Sequence, residues 1–462
     1  MRTLILALQN WILVYFWGLN TIYFLLISSS FIYIFFCTRR IESGRMELFL
    51  KSEGLPTLGI IVPAYNEAGG IVFSVQSILN LQYSNKTIIV VNDGSTDDSM
   101  HILKTTFQLR HVHRAYIEQI KTKQVLEYYH SLLHPNLIVI DKLNGGKSDA
   151  INVGINACTS DYILTIDADT IIDNFELSRM LRFMATRPHI QAFGASVRVA
   201  NGCEIKPQGI TKIAFPTSYL GGVQAVEYLR AFYLGRMGWE PLQGSLIISG
   251  AFTLFKTESL KQLNGYATDM LGEDMEIVVR FKKEQYQNKQ SPQTGFIAEP
   301  VCWTEVPENL KVLGSQRSRW QVGVIQALWT HRSLLFNPKY GITGLFTYPY
   351  FFFGEMLSPI VECLGYLVIL SSLILQISSV SFILSFITIT LGLTFLLNVL
   401  CSLIEILFFR KYFKFSHIWK MVLFSFLENI GYRQLTVYWR LRGFFRVFKK
   451  TTGWKDMKKA GF

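Results

Sequence analysis

Short apolar stretches alternate with helix-like stretches over the chain from residue 55 to about residue 170. The predicted strands are Leu58–Val62, Thr87–Val91, Leu137–Ile140 and Ile163–Ile166. The first ends at Pro63 and is followed by a predicted helix from about Ala68 to Leu81, and another helix is predicted from Lys147 through Ile155. Each strand runs into polar residues or glycine. Strands that alternate with helices in this way build a parallel sheet whose carboxyl edge carries the ligand site, so the pattern predicts an α/β fold.

The polar residues at that predicted edge are the candidates for chemistry. Asp93 and Gly94 follow the second strand, and Lys147 follows Gly145-Gly146 after the third. The apolar run Ile163–Ile166 continues directly into Asp167 and Asp169, so the fourth strand carries Asp167. On a strand, two residues one apart point to the same side, which suits a divalent cation with oxygen ligands. Such an ion would neutralise the phosphates of a nucleotide substrate. The alternative is that these aspartates only mark the entry of a strand into a polar turn.

Four motifs taken in order resemble the inverting family 2 glycosyltransferases, whose nucleotide-sugar-binding domain has the GT-A fold. The motifs are Asp93-Gly94, Asp167-Ala168-Asp169, Gly272-Glu273-Asp274 and Gln316-Arg317-Ser318-Arg319-Trp320. The last matches the Gln-x-x-Arg-Trp motif of the membrane-embedded processive members, which are the synthases of cellulose, chitin, hyaluronan and poly-N-acetylglucosamine. The motifs extend from Pro56 to about Gln326, and the flanking hydrophobic segments extend the resemblance to nearly the whole chain.

The resemblance implies a role for each residue of the donor site. Mg²⁺ or Mn²⁺ would bind at Asp169, and Asp167 would contact the metal or the ribose. Asp93 would accept a hydrogen bond from the uracil ring of a UDP-sugar. Lys147 could approach the base or the phosphates, because the preceding glycines let the backbone come close. The alternative for Lys147 is a solvated residue in the first turn of a helix.

The resemblance also assigns the acceptor side. Asp274 would be the general base that deprotonates the acceptor hydroxyl. The alternative is that the acidic residues here only stabilise a helix amino terminus through the macrodipole, which accounts well for Glu273 and Glu276. Arg319 would hold the pyrophosphate and Trp320 would stack on the acceptor sugar, with Gln316 on the same helical face. The alternative for the arginine and the tryptophan is an anchor at the membrane interface, where both residue types are common.

Composition and hydropathy predict a membrane enzyme. Of 462 residues, 14% are aromatic and 17% are charged, and the six cysteines form no Cys-x-x-Cys pair, so neither a zinc site nor a disulfide framework is expected. Residues 11–36 are uncharged and long enough to span a bilayer. Arg39, Arg40, Arg45 and Lys51 follow, which by the positive-inside rule places the catalytic domain in the cytoplasm and the amino terminus outside.

The domain organisation expected from these patterns has four parts. They are a transmembrane anchor at 1–40, a cytoplasmic GT-A domain at 56–335, two transmembrane helices within 345–409, and an interfacial segment with a basic cytoplasmic tail at 410–462. Residues 421–430 are read as interfacial rather than as a fourth span. The tail is rich in Arg, Lys and aromatic residues and accounts for much of the net charge of +12, which suits anionic lipids better than nucleic acid.

Four histidines and two glutamates in an apolar segment are further candidates for a functional role. His111, His113, His130 and His134 are interpreted as solvated rather than metal-binding, with His111 and His113 in a helical or loop stretch. Glu355 and Glu362 lie in an apolar segment interrupted by proline. A carboxylate inside a membrane tends to face a polar path, here the route of a growing glycan, but helix packing or a position near the interface explains the two glutamates equally well.

The function expected from the sequence is an inverting transfer from a nucleotide sugar that extends a β-linked extracellular polysaccharide at the cell membrane. The partners are the donor, the growing glycan, the lipid bilayer and, by resemblance, accessory membrane or export subunits, with no nucleic acid. One alternative is a non-processive transfer of a single sugar to a lipid. Another is a degenerate fold that serves as a scaffold, against which the intact Asp93, Asp167, Asp169 and Asp274 argue.

Overall fold

The computed structural model describes most of the chain. The described residues are 2–41, 55–113, 117–173, 177, 180, 181, 183, 184, 187–206, 209–412 and 414–447. Arg45, Lys51 and the tail from residue 448 onward, including Trp454, lie outside this part of the chain. The described residues form two compact units, which we call the sheet unit (within 38–214 and 246–306) and the helical unit (within 2–37, 215–245 and 307–447). The functional domain boundaries drawn from the sequence stay predictions.

The sheet unit contains a ten-stranded sheet and a separate two-stranded ribbon. Its strands are β1 (Leu58–Ala64), β2 (Lys86–Asn92), β3 (Leu109–His111), β4 (Val125–Ser131), β5 (Leu137–Lys142), β6 (Tyr162–Ile166), β7 (Thr170–Ile172), β8 (Ala192–Val199), β9 (Glu204–Lys206), β10 (Gly209–Lys212), β11 (Phe252–Lys256) and β12 (Thr294–Thr304). The order in the large sheet is β3-β4-β5-β2-β1-β6-β11-β8-β12-β7, and β9 pairs with β10.

The four strands predicted from the sequence are neighbours and mutually parallel. In the order β5-β2-β1-β6, β1 pairs with β2 and β6, and β2 pairs with β5, all in parallel. Their apolar runs are continuous because both faces are covered, and Ile60, Ile61 and Val62 are fully buried. The α/β class is confirmed. The four predicted strands form the expected parallel sheet, and the complete sheet is mixed, since β4 and β11 pair antiparallel with the outer members β5 and β6.

The helices run in chain order through both units. They are α1 (Arg2–Ile41), α2 (Ile71–Leu79), α3 (Ser99–Thr106), α4 (Lys147–Ala157), α5 (Tyr219–Tyr233), α6 (Thr257–Gln262), α7 (Glu273–Gln287), α8 (Leu310–Thr330), α9 (Ser358–Ile374), α10 (Val380–Ile404), α11 (Phe415–Leu427) and α12 (Arg433–Val447). Helix α4 packs on the sheet through Ile151, Val153 and Ile155, which belong to the same buried cluster as Ile61. Gly154 allows this approach, because a Cβ there would lie 2.6 Å from Cγ2 of Ile61.

Among the described residues, two helices of the helical unit are long and apolar enough to cross a membrane. They are Arg2–Phe36 and Val380–Phe409. A third candidate is a bent pair, Thr343–Met356 and Ser358–Ile374, whose two halves meet at 47°. The bend lies beside Pro359, which occupies the first turn of α9, where its missing amide hydrogen is tolerated. The predicted second span therefore corresponds to this bent helix pair. The predicted interfacial segment 421–430 comprises the end of α11 and a turn of π-helix, Glu428–Tyr432.

Candidate active site

In the parallel core of the sheet, the side on which successive strands are added changes between β1 and β6. From β1 the chain proceeds through α2 to β2 and then to β5 on one side, and it later returns to add β6 on the other side of β1. In open α/β sheets, ligands bind at such a switch point, outside the carboxyl ends of the strands. The residues that follow β6 at this edge are Asp167 and Asp169.

Asp167 and Asp169 lie in a turn and not on a strand. Strand β6 ends at Ile166, and the amide of Thr170 donates to the carbonyl oxygen of Asp167 at 3.0 Å before β7 begins. The expectation that the two aspartates lie on a strand is therefore wrong, because the chain turns directly after Ile166, and strand alternation does not set the directions of their side chains. Both side chains are half-buried at the sheet edge.

Asp93 is buried and organises the loop that leads to Lys147. Its Oδ1 accepts hydrogen bonds from the Lys142 ammonium at 2.5 Å and from the Gly145 amide at 2.9 Å, and its Oδ2 accepts one from the Gly146 amide at 2.7 Å. Burial raises the pKa of the Asp93 carboxyl, against the opposing effect of Lys142 and the two amides. Each carboxylate oxygen can accept two hydrogen bonds, so the contacts described leave Oδ2 with capacity for one more donor.

Lys142 is the residue that sequence reasoning missed at this loop. Its ammonium is fully buried and lies 2.5 Å from Asp93 and 2.8 Å from Oδ1 of Asp149. A buried cation between two carboxylates fixes the loop, since removing any member leaves an uncompensated charge. The glycines complete the arrangement. A Cβ on Gly145 would lie 2.6 Å from Cγ of Asp149, and Gly146 has a φ of +92°, which other residues rarely adopt.

Lys147 is the first residue of α4, and its ammonium joins several parts of the edge. It lies 2.6 Å from Oδ1 of Asp167 and 3.4 Å from Oε1 of Glu273, and it donates to the carbonyl oxygen of Gly250 at 3.3 Å. Burial alone would lower the pKa of Lys147, but Asp167 and Glu273 outweigh it and raise that pKa above its usual value. Within the sheet unit Lys147 is therefore an ion-paired cation and not a solvated first-turn residue.

Asp274 lies beside Glu273 in the first turn of α7. Its Oδ1 accepts a hydrogen bond from the amide of Met275 at 2.9 Å. Gly250 brings backbone close to the carboxylate, because a Cβ at that position would lie 2.9 Å from Oδ2 of Asp274. The helix amino terminus favours negative charge here, in agreement with the macrodipole argument. The structure thus gathers Asp167, Glu273, Gly250 and Asp274 around the ammonium of Lys147.

Gln316, Arg319 and Trp320 all lie on α8 in the helical unit. They occupy the middle of this helix, which begins six residues before Gln316, rather than a position near its start. Gln316 and Arg319 are half-buried, as expected for one helical face, while Trp320 is exposed. Their roles toward a substrate stay predictions.

Arg317, inside the same motif, was not singled out from the sequence. It is buried, its Nη2 lies 2.6 Å from Oε2 of Glu227 and 3.1 Å from the hydroxyl of Tyr432, and that hydroxyl donates to Glu227 at 2.6 Å. Its guanidinium lies over the ring of Trp320, 4.4 Å from the centroid. One face of the indole is thus covered by a fixed cation. The arginine three residues before the tryptophan was the available signal.

The donor set at the sheet edge fits a hard divalent cation. Among the described residues, no three His, Cys, Asp or Glu side chains are grouped as a complete metal site. Mg²⁺, however, is commonly bound by one or two carboxylates together with substrate phosphates and water, and Asp167 and Asp169 provide two carboxylates.

His111 ends β3, contrary to the expected helix or loop, and its ring meets that of His113 edge to face at 4.6 Å.

Comparison with known proteins gives relatives among polysaccharide synthases. The chain is 29% identical to the poly-beta-1,6-N-acetyl-D-glucosamine synthase of Staphylococcus epidermidis over 295 residues, which is 63% of this chain and 60% of the relative. It is 28% identical to the synthase of the same name from Staphylococcus aureus over 292 residues, again 63% of this chain and 60% of the relative. The chain thus spans about 60% of the length of these curated relatives.

Among solved structures, a mannosyltransferase from Pyrobaculum calidifontis in complex with GDP-Man and Mn²⁺ is 17% identical. The likeness covers 90% of this chain and 99% of that one, with a TM-score of 0.48.

Two family models match. Residues 59–263 match "Glycosyl transferase family 2", and residues 162–426 match "Glycosyl transferase family group 2". The resemblance to family 2 glycosyltransferases is confirmed, and candidate membrane helices lie on either side of the sheet unit in the sequence. Because the second match extends over more than half of the chain, the protein belongs to glycosyl transferase family group 2.

Proposed function

We propose that this protein transfers a sugar, with inversion, from a UDP-sugar onto a growing β-linked extracellular polysaccharide at the membrane. The observation that carries the proposal is the cluster at the sheet edge, in which Lys147 lies between Asp167 and Glu273, directly beside Asp274. Transfer from a nucleoside diphosphate needs stabilisation of the departing pyrophosphate and deprotonation of an incoming hydroxyl. The cluster supplies a cation for the first need and a carboxylate for the second.

The donor site uses the residues that follow β2, β5 and β6. The remaining acceptor capacity of Asp93 Oδ2 suits a donor such as the imide of uracil. Lys147 offers its ammonium to the diphosphate. Asp167 and Asp169 would hold Mg²⁺ or Mn²⁺, which when bound neutralises charge developing on the leaving diphosphate.

The acceptor hydroxyl would lose its proton to Asp274. A single carboxylate acting on the hydroxyl gives direct displacement at the anomeric carbon, so an α-linked donor yields a β linkage. In the helical unit, Trp320 would stack its uncovered face on the acceptor sugar, with Gln316 and Arg319 on the neighbouring surface of α8. An aromatic face holds a sugar while allowing it to slide, which is what repeated addition needs.

The alternative is transfer of one sugar to a lipid acceptor. It uses the same donor site and the same base, but it does not require the Gln316, Arg319 and Trp320 motif. The names of the relatives from Staphylococcus support extension of a polysaccharide.

We further propose a multi-pass protein of the cell membrane with the sheet unit in the cytoplasm, where nucleotide sugars are made. The charge bias after the first candidate span supports this orientation. Helix α11 exposes Phe415, Trp419 and Phe426, as suits a helix at the membrane surface beside anionic lipids. Cysteine labelling of intact cells tests the topology. Labelling of a cysteine at position 455 from outside, with position 52 protected, would contradict it.

The activity is tested by incubating detergent-purified protein with radiolabelled nucleotide sugars and Mg²⁺ or Mn²⁺. We expect one UDP-sugar to give a polymer whose length increases with time and whose formation stops on chelation of the metal. A product that carries a single added sugar would support the lipid-acceptor alternative. No transfer from any nucleotide sugar would contradict both.

A further inference from the structure

The ammonium of Lys147 contacts a carboxylate, Asp167, that the proposed divalent metal would also need. It lies 2.6 Å from Oδ1 of Asp167, a contact close enough for a direct charge-assisted hydrogen bond. The Lys147 side chain is 14% exposed, and that of Asp167 is 32% exposed. The pair is therefore partly shielded from water, where an ion pair is worth more than at a fully exposed surface.

The same ammonium also binds the acceptor side of the cluster. Glu273 lies 3.4 Å away on α7, next to Asp274, and the carbonyl oxygen of Gly250 lies 3.3 Å away. Lys147 thus connects the turn after β6 to the amino terminus of α7. A cation that leaves Asp167 changes the charge balance at both ends of this connection.

We propose that Lys147 is a resident cation that holds Asp167 before the donor arrives and gives it up when the metal and the nucleotide bind together. The inference rests on the proposed metal site at Asp167 and Asp169. The diphosphate of the nucleotide offers the displaced ammonium new oxygen partners, whereas a free metal ion offers it none. Metal alone should consequently bind weakly, and metal with nucleotide should bind well.

Movement of Lys147 would also change the charge beside Asp274. While Lys147 bridges Asp167 and Glu273, positive charge lies beside Asp274. When the ammonium moves to the diphosphate, it leaves Glu273, and the charge next to the predicted base becomes more negative.

The test measures Mn²⁺ binding to the full chain in detergent by titration with electron paramagnetic resonance detection, without any sugar donor. Lys147→Gln removes the charge and nearly keeps the length, and we expect it to bind free Mn²⁺ at least about tenfold more tightly than the wild type. Lys147→Arg keeps a cation and should retain the weak binding. Lys121→Gln, at an exposed lysine of the same unit, removes the same charge at a distance and should leave the affinity unchanged.

Adding UDP separates failure of this inference from failure of the proposed function. In the wild type, UDP should strengthen Mn²⁺ binding, and in folded Lys147→Gln it should strengthen it less. Equal or weaker binding of free Mn²⁺ by Lys147→Gln, with normal UDP-dependent binding in the wild type, overturns the resident-cation role alone. A wild type that binds no Mn²⁺ with or without UDP overturns the metal site and, with it, this inference.

Discussion

Two carboxylates, one in each unit, differ in how completely they are satisfied. In the helical unit, Glu428 is buried and takes a two-point contact from Arg230 at 2.6 and 2.7 Å, together with the amide of Asn398 at 2.6 Å. In the sheet unit, Asp167 is about one third exposed and bonds to the single ammonium of Lys147 through one oxygen.

This difference distinguishes a carboxylate that stabilises the fold from one that can take part in the reaction. A bidentate arginine pair has a fixed geometry, and breaking it in a buried setting leaves an uncompensated charge. A monodentate contact to a flexible lysine at a sheet edge can be exchanged for a metal or a phosphate with little rearrangement. We therefore expect an amide substitution at Asp167 to remove activity and one at Glu428 to reduce stability.

The largest effect is expected for Asp169→Asn. The substitution keeps the size of the side chain and removes the charge that a divalent cation needs, so transfer should be abolished and metal-dependent nucleotide binding weakened. Activity assays with saturating Mg²⁺ or Mn²⁺ and a thermal melt of the same sample would check it. Undiminished transfer would remove Asp169 from the metal site.

Asp274→Asn should act on the chemical step alone. Without its general base the enzyme should lose about 10²-fold or more in kcat, while the affinity for the donor stays nearly the same. Steady-state kinetics together with a nucleotide-binding measurement would separate the two quantities. A fall in donor affinity with unchanged kcat would place Asp274 in the donor site instead.

Glu428→Gln should act on stability. It leaves the guanidinium of Arg230 without its carboxylate, and loss of one member of a buried pair costs about 3 kcal/mol or more. Thermal or denaturant unfolding in detergent would measure this loss, and the activity per folded molecule should stay near that of the wild type. Glu204→Gln breaks the exposed pair with Lys212 and serves as a control with no measurable change in stability.

Trp320→Ala should have the smallest effect on donor chemistry and a selective effect on product length. Loss of the indole face should shorten the polymer more than it reduces hydrolysis of the donor, which needs only the sheet unit. Product length and donor hydrolysis are to be measured side by side and corrected for folded protein. An interfacial anchor predicts lower yield with normal chain length, and that outcome would remove the stacking role.

The part of the fold that could be predicted from the sequence is the part set by local pattern. Each parallel core strand is a continuous apolar run that ends in polar residues, so strands and site edge were both predictable. The antiparallel partners β4 and β11 were not predicted because pairing partners are chosen by long-range contacts. The turn at Asp167 was not predicted because the residue at which a strand ends is poorly determined by local sequence pattern.

The buried partners of the site residues could not be predicted either. Lys142 and Asp93 are 49 residues apart in the chain, and Arg317 and Tyr432 are 115 apart. Nothing local in the sequence brings such pairs together, whereas the motif residues Asp93, Asp167, Asp274 and Trp320 were named through the family resemblance.

The division between the two units is tested most directly by a matched pair of amide variants, Asp167→Asn and Glu362→Gln. Both carboxylates are partly exposed, at 32% and 27%, and each is paired with one cation, Lys147 or Arg433. The measurement is transfer activity per folded molecule. We expect Asp167→Asn to lose transfer and Glu362→Gln to keep it within about twofold, the size expected when no transition-state contact is lost. Equal loss of transfer in both variants would contradict this assignment of roles and place Glu362 on the route of the glycan.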